Sequence, residues 1–311
     1  MNKTTLIHIF SLTVILAVSV NCAKAESAAV AHQPEKIGLE ISTTASGSGG
    51  VRLKALGFEY PEMRSFETAL AVKCTRDLPS TGSLSLGLNF QRTTFRMDQG
   101  AWRLPVPDRF QNTNIALSYA VQFNEKWNGM FSAASGWRNA GTTSMNSKGF
   151  GTVFTAMGLY SANPTLKFAV GAMGDTLAEG SNRFFPILGL DWQIDKKWRL
   201  ALGMPRTGLF YAATDKLELG VTADANLSTY YVDKDARFAA VAGRARTAAK
   251  LEYTEARAGF QVNWQVAPSC SLSLTAGVIG YREFNYRQRN LKLKTSGVDG
   301  GYASAGLSFQ F

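Results

Sequence analysis

With 311 residues, 29 of them Gly and only three Cys, and with 33 basic against 23 acidic side chains, the chain is basic and poor in cysteine. So few cysteines exclude a disulfide framework, two histidines leave little for a metal centre or a histidine base, and the length that suits two soluble domains equally suits one large barrel. The chain opens with Lys3 in a short polar start, an apolar run from Leu6 to Val20, and Ala23-Lys24-Ala25 before Glu26. That is the pattern of a cleaved secretory signal peptide over residues 1–25, with an apolar run shorter than the roughly 20 residues of a spanning helix. Ser19-Val20-Asn21 before Cys22 is a poor lipoprotein pattern, so lipid attachment is not expected. An exported basic chain is expected to face anionic lipid or solute and no nucleic acid.

Residues 26–50, rich in Ser, Gly and Ala, read as a flexible periplasmic N-terminal segment. Within it Ile37, Leu39 and Ile41 alternate with polar residues but would spoil an even strand count. From Val51 to Phe311 the chain repeats period-2 segments separated by turn residues. Leu84, Leu86, Leu88 and Phe90 alternate with small and polar residues, as do Ile115, Leu117, Tyr119, Val121 and Phe123. Ala256, Ala258, Phe260, Val262, Trp264 and Val266 do the same, and the residues between them, Glu255, Arg257, Gln261, Asn263 and Gln265, are too polar for a dry core but suit a watery lumen.

The connections fall into two kinds. Asn124-Glu125-Lys126, Asn163-Pro164-Thr165, Asp195-Lys196-Lys197, Thr214-Asp215 and Ala267-Pro268-Ser269 are short turn signals, and between them lie polar stretches at 94–111, 138–148, 175–182, 231–252 and 285–299. Short connections on one side and long loops on the other predict a transmembrane antiparallel up-and-down β-barrel, all-β, of about 12–14 strands over residues 51–311. The two short segments flanking Pro205 read either as two strands or as one bent strand. Trp127 and Trp198 each follow a Lys at a short turn, where the interfacial aromatic girdle on the periplasmic side is expected. Cys74 and Cys270, far apart in sequence, read as small strand residues, although a single bridge stays open.

Two resemblances sharpen this. Ala303, Ala305, Leu307, Phe309 and Phe311 alternate with small and polar residues to a terminal aromatic, which resembles the last strand of bacterial outer-membrane barrels. The resemblance implies that Phe309 and Phe311 form an assembly signal for the barrel-assembly machinery. The run Phe185-Pro186-Ile187-Leu188-Gly189-Leu190-Asp191-Trp192, followed by Asp195-Lys196-Lys197-Trp198-Arg199-Leu200-Ala201-Leu202-Gly203-Met204-Pro205, resembles the central hairpin of the barrel family DUF6268, sharply to Tyr211 and as a pattern elsewhere. That implies an outer-membrane location in a Gram-negative-type envelope and transfers no catalytic residue.

The enzymes known on such barrels work with a histidine as general base. Here His8 leaves with the signal and His32 precedes the first strand, so no enzymatic activity, cofactor or metal is expected. Asp233 and Asp235 offer too few oxygens for calcium, and Gly47-Ser48-Gly49-Gly50 lacks the lysine and the helix of a phosphate loop. Asp191, Glu218, Glu255 and Arg257 are candidate lumen charges. Arg244, Arg246, Lys250, Arg282, Arg287, Arg289, Lys292 and Lys294 are candidate basic residues of the loops or mouth, suited to lipopolysaccharide phosphates or to anions drawn into the lumen. The expected function is a passive or weakly selective pore for small solutes. A plugged transporter for hydrophobic ligands, with residues 26–50 as plug, and a structural or adhesive barrel are the alternatives.

Overall fold

The structure, a computed structural model, describes residues 37–55, 57–78, 82–97, 106–142, 144–203, 206–234, 247–295 and 300–311. Its strands are β1 (Ile37–Val51), β2 (Leu53–Ala55), β3 (Phe58–Glu59), β4 (Met63–Leu78), β5 (Gly82–Met97), β6 (Arg109–Gln122), β7 (Trp127–Ala140), β8 (Phe150–Asn163), β9 (Leu166–Asp175), β10 (Phe184–Gln193), β11 (Trp198–Gly203), β12 (Arg206–Thr214), β13 (Leu217–Val232), β14 (Ala249–Ala267), β15 (Cys270–Tyr286), β16 (Leu291–Thr295) and β17 (Gly300–Gln310). Fourteen of these are staves of a closed antiparallel barrel. The short strands β2, β3 and β16 form a flap at the loop end, joined through the pairing of β16 with β15 and of β2 with β16.

Closure is made by β1 and β17, in register from Glu40 opposite Gln310 to Gly49 opposite Gly301, with β4 on the other side of β1. Residues 37–50 are therefore wall and not a flexible lead or plug, which corrects the reading of that segment. Their Ser and Gly content misleads because a lumen-facing strand needs no apolar residues on its inner face. Residues 26–36, and the expected signal peptide before them, lie outside the described residues. With β1 counted, and with the segments flanking Pro205 forming two staves, the even number is reached.

The apolar rows point outward. Leu86, Leu88, Ile115, Leu117, Val221 and Phe260 are exposed on the wall, and Phe260 is 72% exposed. Where the ladder runs from stave to stave it satisfies the backbone N–H and C=O groups, so these side chains can meet hydrocarbon without stranding them. No helix among the described residues is long and apolar enough to cross a membrane.

At the short-turn end, Asn124 and Asp195 build equivalent turns. Asn124 Oδ1 accepts from the amides of Lys126 and Trp127 at 2.9 and 3.0 Å, and Asp195 Oδ1 accepts from Lys197 and Trp198 at 2.7 and 2.8 Å. Those two amides hold the Asp195 carboxyl below the usual carboxylate range. Each turn delivers its Trp to the outer face, where Trp127 lies against Tyr160 and Trp198 against Tyr211, with ring centroids 5.0 and 4.9 Å apart. Cys74 and Cys270 are free thiols on β4 and β15.

Candidate functional site

The lumen is built by the inward half of each alternating strand, and its loop-side end is closed in two ways. First, β7 and β13, which are not neighbours in the wall, pair in parallel at their last residues, Asn139 with Tyr231 and Ala140 with Val232. The Asp233 amide donates to the Ala140 carbonyl at 3.2 Å, and Asn146 Nδ2 donates to Asp233 Oδ2 at 3.0 Å. Opposite walls thus meet across the mouth.

Second, the mouth beside this seam is filled by an apolar cluster. Phe95 (β5), Phe110 (β6), Tyr230 (β13), Tyr253 (β14) and Phe284 (β15) converge there, with Leu53 from β2 and Leu291 and Leu293 from β16, all nearly or fully buried. Phe110 stacks on Tyr230 at 4.4 Å between centroids and meets Phe95 edge-on at 4.9 Å, while Phe95 meets Phe284 at 5.6 Å. Edge-to-face and offset contacts of this kind add to the burial of the rings themselves. Because the rings come from β5 and β6 on one side and from β13, β14 and β15 on the other, they hold the walls together.

A buried charged layer underlies the plug. Glu255 on β14 is gripped by Arg282 of β15 and by Arg257, and accepts a hydrogen bond from Tyr253 Oη at 2.6 Å. Arg282 also donates to Ser48 Oγ on β1 and Ser65 Oγ on β4, each at 3.1 Å. Arg257 reaches Glu67 of β4 at 3.8 Å, and Glu67 accepts from Gln91 Nε2 at 2.8 Å and Thr93 Oγ1 at 3.2 Å on β5. Ionic groups this deep are held by having several partners each, since desolvation alone would disfavour them.

A local irregularity places Arg282. Along β15, Leu272, Leu274, Ala276 and Val278 point outward, and a register shift opposite Ala256 and Arg257 inserts Gly280. Such a bulge reverses the facing of the residues beyond it, so Arg282, Phe284 and Tyr286 turn inward and are buried. Arg282 is therefore not a loop residue available to anions, as its place near the last long loop suggested, but the centre of the buried layer. The alternation itself carried the signal, because the outward series breaks at Gly280.

The other candidate residues spread along the lumen and over the loop end. Nearer the short turns, Arg199 bridges Asp191 and Glu218 at 3.3 Å each, and Asn263 Nδ2 donates to Glu218 at 3.0 Å, which makes a half-exposed lumen cluster. Lys250 belongs to β14 and pairs with Glu179 at 3.2 Å; Arg287, in a short 3-10 turn with Arg289, pairs with Glu252 at 2.8 Å. Lys292 and Lys294 lie on β16, where Lys292 pairs with Glu283 at 3.6 Å, and both line an outer cleft of about 520 Å³ with Lys54, Glu59 and Tyr281. Arg244 and Arg246 lie outside the described residues. Sequence reading missed Glu67, Arg199 and the aromatic plug, and the inward polar alternation of β4 and β11 was the available signal for the first two. No group of three or more metal-ligating side chains occurs among the described residues.

A family model described as a domain of unknown function (DUF6268) matches residues 67–306. The chain belongs to the DUF6268 family. No curated protein matches this DUF6268 chain. Among solved structures it is similar to an outer-membrane channel of Pseudomonas putida F1, at 13% identity over 90% of this chain and 97% of that one with a TM-score of 0.47. It is also similar to the toluene transporter TodX of P. putida, at 8% identity over 90% and 91% with a TM-score of 0.46. A third likeness is to the translocator domain of the autotransporter NalP of Neisseria meningitidis, at 13% identity over 90% of each chain with a TM-score of 0.38.

Proposed function

We propose that this DUF6268 barrel is a plugged transporter of the outer membrane, through which small solutes pass only when the contacts closing the loop-side mouth give way. One observation carries the reading. Phe95, Phe110, Tyr230, Tyr253 and Phe284 fill the mouth from opposite walls, beside the backbone seam between Ala140 and Asp233. Below it the lumen keeps half-exposed charges such as Arg199 and Asp191, which a merely structural barrel has no need to hydrate. A pore open at rest fits the filled mouth less well. The plug in this reading comes from strand ends and the flap, not from the N-terminal segment.

The reading assigns no catalytic role, because both histidines precede the first strand. It takes Trp127 and Trp198 as interfacial anchors, and the exposed Phe311 as part of the signal read during assembly. Lys292 and Lys294, on the outer cleft, are the residues proposed to meet lipopolysaccharide phosphate.

The test is conductance of the refolded mature protein in a planar bilayer under a salt gradient. The intact protein should be silent or flicker briefly, and a Phe95→Ala/Phe110→Ala/Phe284→Ala variant should give stable steps. Large stable steps from the intact protein would instead indicate an open pore. Continued silence from the folded triple variant would favour a structural barrel.

A further inference from the structure

Among the described residues, the strand pairing of the wall stops short on one side. There β10 pairs with β11 only from Gly189 to Gln193, while its upper residues Phe184 to Leu188 have, among the described residues, a strand partner on β9 alone. Across the opening, β12 reaches β13 no higher than Arg206 opposite Asp224, so Ala225 to Tyr230 are paired only with β14 among the described residues. The cause is the short hairpin β11–β12. The described ends beside its turn are tied together, since the Gly203 amide donates to Thr207 Oγ1 at 3.0 Å and that hydroxyl donates back to the Gly203 carbonyl at 3.2 Å. Pro186 sits on the resulting edge, where its missing N–H strands no partner on the open side.

Depth comes from strand geometry. A strand rises about 3.3 Å per residue and, tilted about 40°, gains about 2.5 Å per residue along the membrane normal. From Trp198 at the short-turn interface to Gly203 is therefore about 13 Å, half of an apolar band about 25 Å tall. The notch above the hairpin faces the hydrocarbon of the outer leaflet. Its rim agrees, because Phe184 and Leu188 on the outside are 70% and 67% exposed.

The inner surface beside the notch differs from that of β4 to β6. Val153, Met157 and Leu159 of β8, Met173 of β9, and Phe185 and Ile187 of β10 alternate with the outward Phe154, Val170 and Leu188, and so point inward; all six are half-buried. They make an apolar inner strip interrupted by Thr155 and bounded toward the loops by Asp175, which pairs with Arg138. On β4, β5 and β6, separated from this strip by β7, the inward positions hold Glu67, Asn89, Gln91 and Asn114, joined by hydrogen bonds. An apolar surface facing a watery lumen is costly unless something apolar covers it. Here it adjoins the stretch where the wall opens to lipid, below a mouth that is closed.

We infer that the notch between β10 and β13 is a lateral passage, through which small apolar molecules move between the inner strip and the hydrocarbon of the outer leaflet. The inference rests on the transport reading above and adds to it both the substrate class and the route.

The experiment is photolabelling of the refolded mature protein in phospholipid vesicles with a diazirine-bearing long-chain alcohol, with labelled residues mapped by mass spectrometry. Label is expected on inward Met173, Phe185 or Ile187 as well as on outward Phe184 and Leu188. Ala225→Trp, which adds bulk at the β13 edge, should lower the inward label about tenfold and leave the outward label unchanged. Ile187→Ser, which adds no bulk, should lower it as well, and heat-modifiable gel mobility checks that both variants are folded. Label confined to the outward residues, or inward label indifferent to both variants, overturns the passage. So does a disulfide-linked dimer of Leu188→Cys formed in the membrane, which would give the open edge to a second copy. Conductance of the plug variants reads the transport proposal separately, so the two can fail independently.

Discussion

The amide of Asp233, just past β13, donates to the carbonyl of Ala140, the last residue of β7, across the mouth of the barrel at 3.2 Å. Both strands run toward the loops, so the contact is parallel, whereas each wall pairing is antiparallel. In an evenly round barrel these strand ends would stand on opposite sides of a lumen. Their meeting means that the loop end is pinched, and the aromatic side chains fill the space beside the pinch.

Truncating the plug tests that arrangement energetically. Phe110→Ala removes a ring that stacks on Tyr230 and meets Phe95 edge-on. It should cost about 3–5 kcal/mol in urea unfolding in lipid micelles. Conductance, absent or brief before, should lengthen.

Glu255 and Arg282 make a double-mutant cycle. Glu255→Leu alone strands the Arg282 and Arg257 guanidiniums in a dry layer and should cost about 3–5 kcal/mol. Glu255→Leu with Arg282→Met should recover much of that loss, because removing both charges also removes their desolvation. Additive losses in the same unfolding assay would mean that the layer is wet.

Arg199 tests the lumen charges. It is the shared cation of Asp191 and Glu218 and is about one-third exposed, so Arg199→Gln should change stability by less than about 1 kcal/mol. It leaves two carboxylates without their counter-ion. In the plug-opened protein the reversal potential should then move toward cation preference, and an unmoved potential would place Arg199 off the conduction path.

Gly203 carries a φ of +112°, which side-chain-bearing residues rarely adopt, and a Cβ there would run into the backbone of Leu188 and Gly189 on β10. Gly203→Val should give poor refolding yield and lose the heat-modifiable band. Gly280→Ala has open space around the new methyl by comparison and should fold.

Phe311 exchanges two backbone hydrogen bonds with Leu39, at 2.8 and 3.1 Å, and so closes the ring at the short-turn end. Deleting Phe311 should slow membrane assembly in cells several-fold, read as accumulation of the unfolded band. A variant that keeps the backbone, Phe311→Ala, separates the two contributions: if only the seam matters it should assemble normally, and if the aromatic ring is read it should not.

The alternation of β14 was legible beforehand. Phe260, Val262 and Trp264 face lipid and Gln261 and Asn263 face the lumen, as their spacing predicts, because a strand offers only two directions and the bilayer accepts only one kind of residue. Turns at Asn124 and Asp195 were equally legible, since their side chains bond locally. Arg282 was misread, although the outward series visibly breaks at Gly280, because a single inserted residue there reverses the facing of everything after it. β1 was misread too, because its Ser and Gly residues gain their strand character from β17 and β4, which are distant in sequence.

By itself, then, the sequence determined class and family: period-2 patterning, short turns against long loops, and the Phe185–Pro205 run all act locally and need no partner to be read. Tertiary structure alone decided that the mouth is closed, that Glu255, Arg257, Arg282 and Glu67 share one buried layer, and that among the described residues the pairing of β10 and β13 stops at the short strands β11 and β12. Each of these depends on residues far apart in the chain meeting, or failing to meet, across the lumen. Barrel closure sets those distances, and no local pattern encodes them.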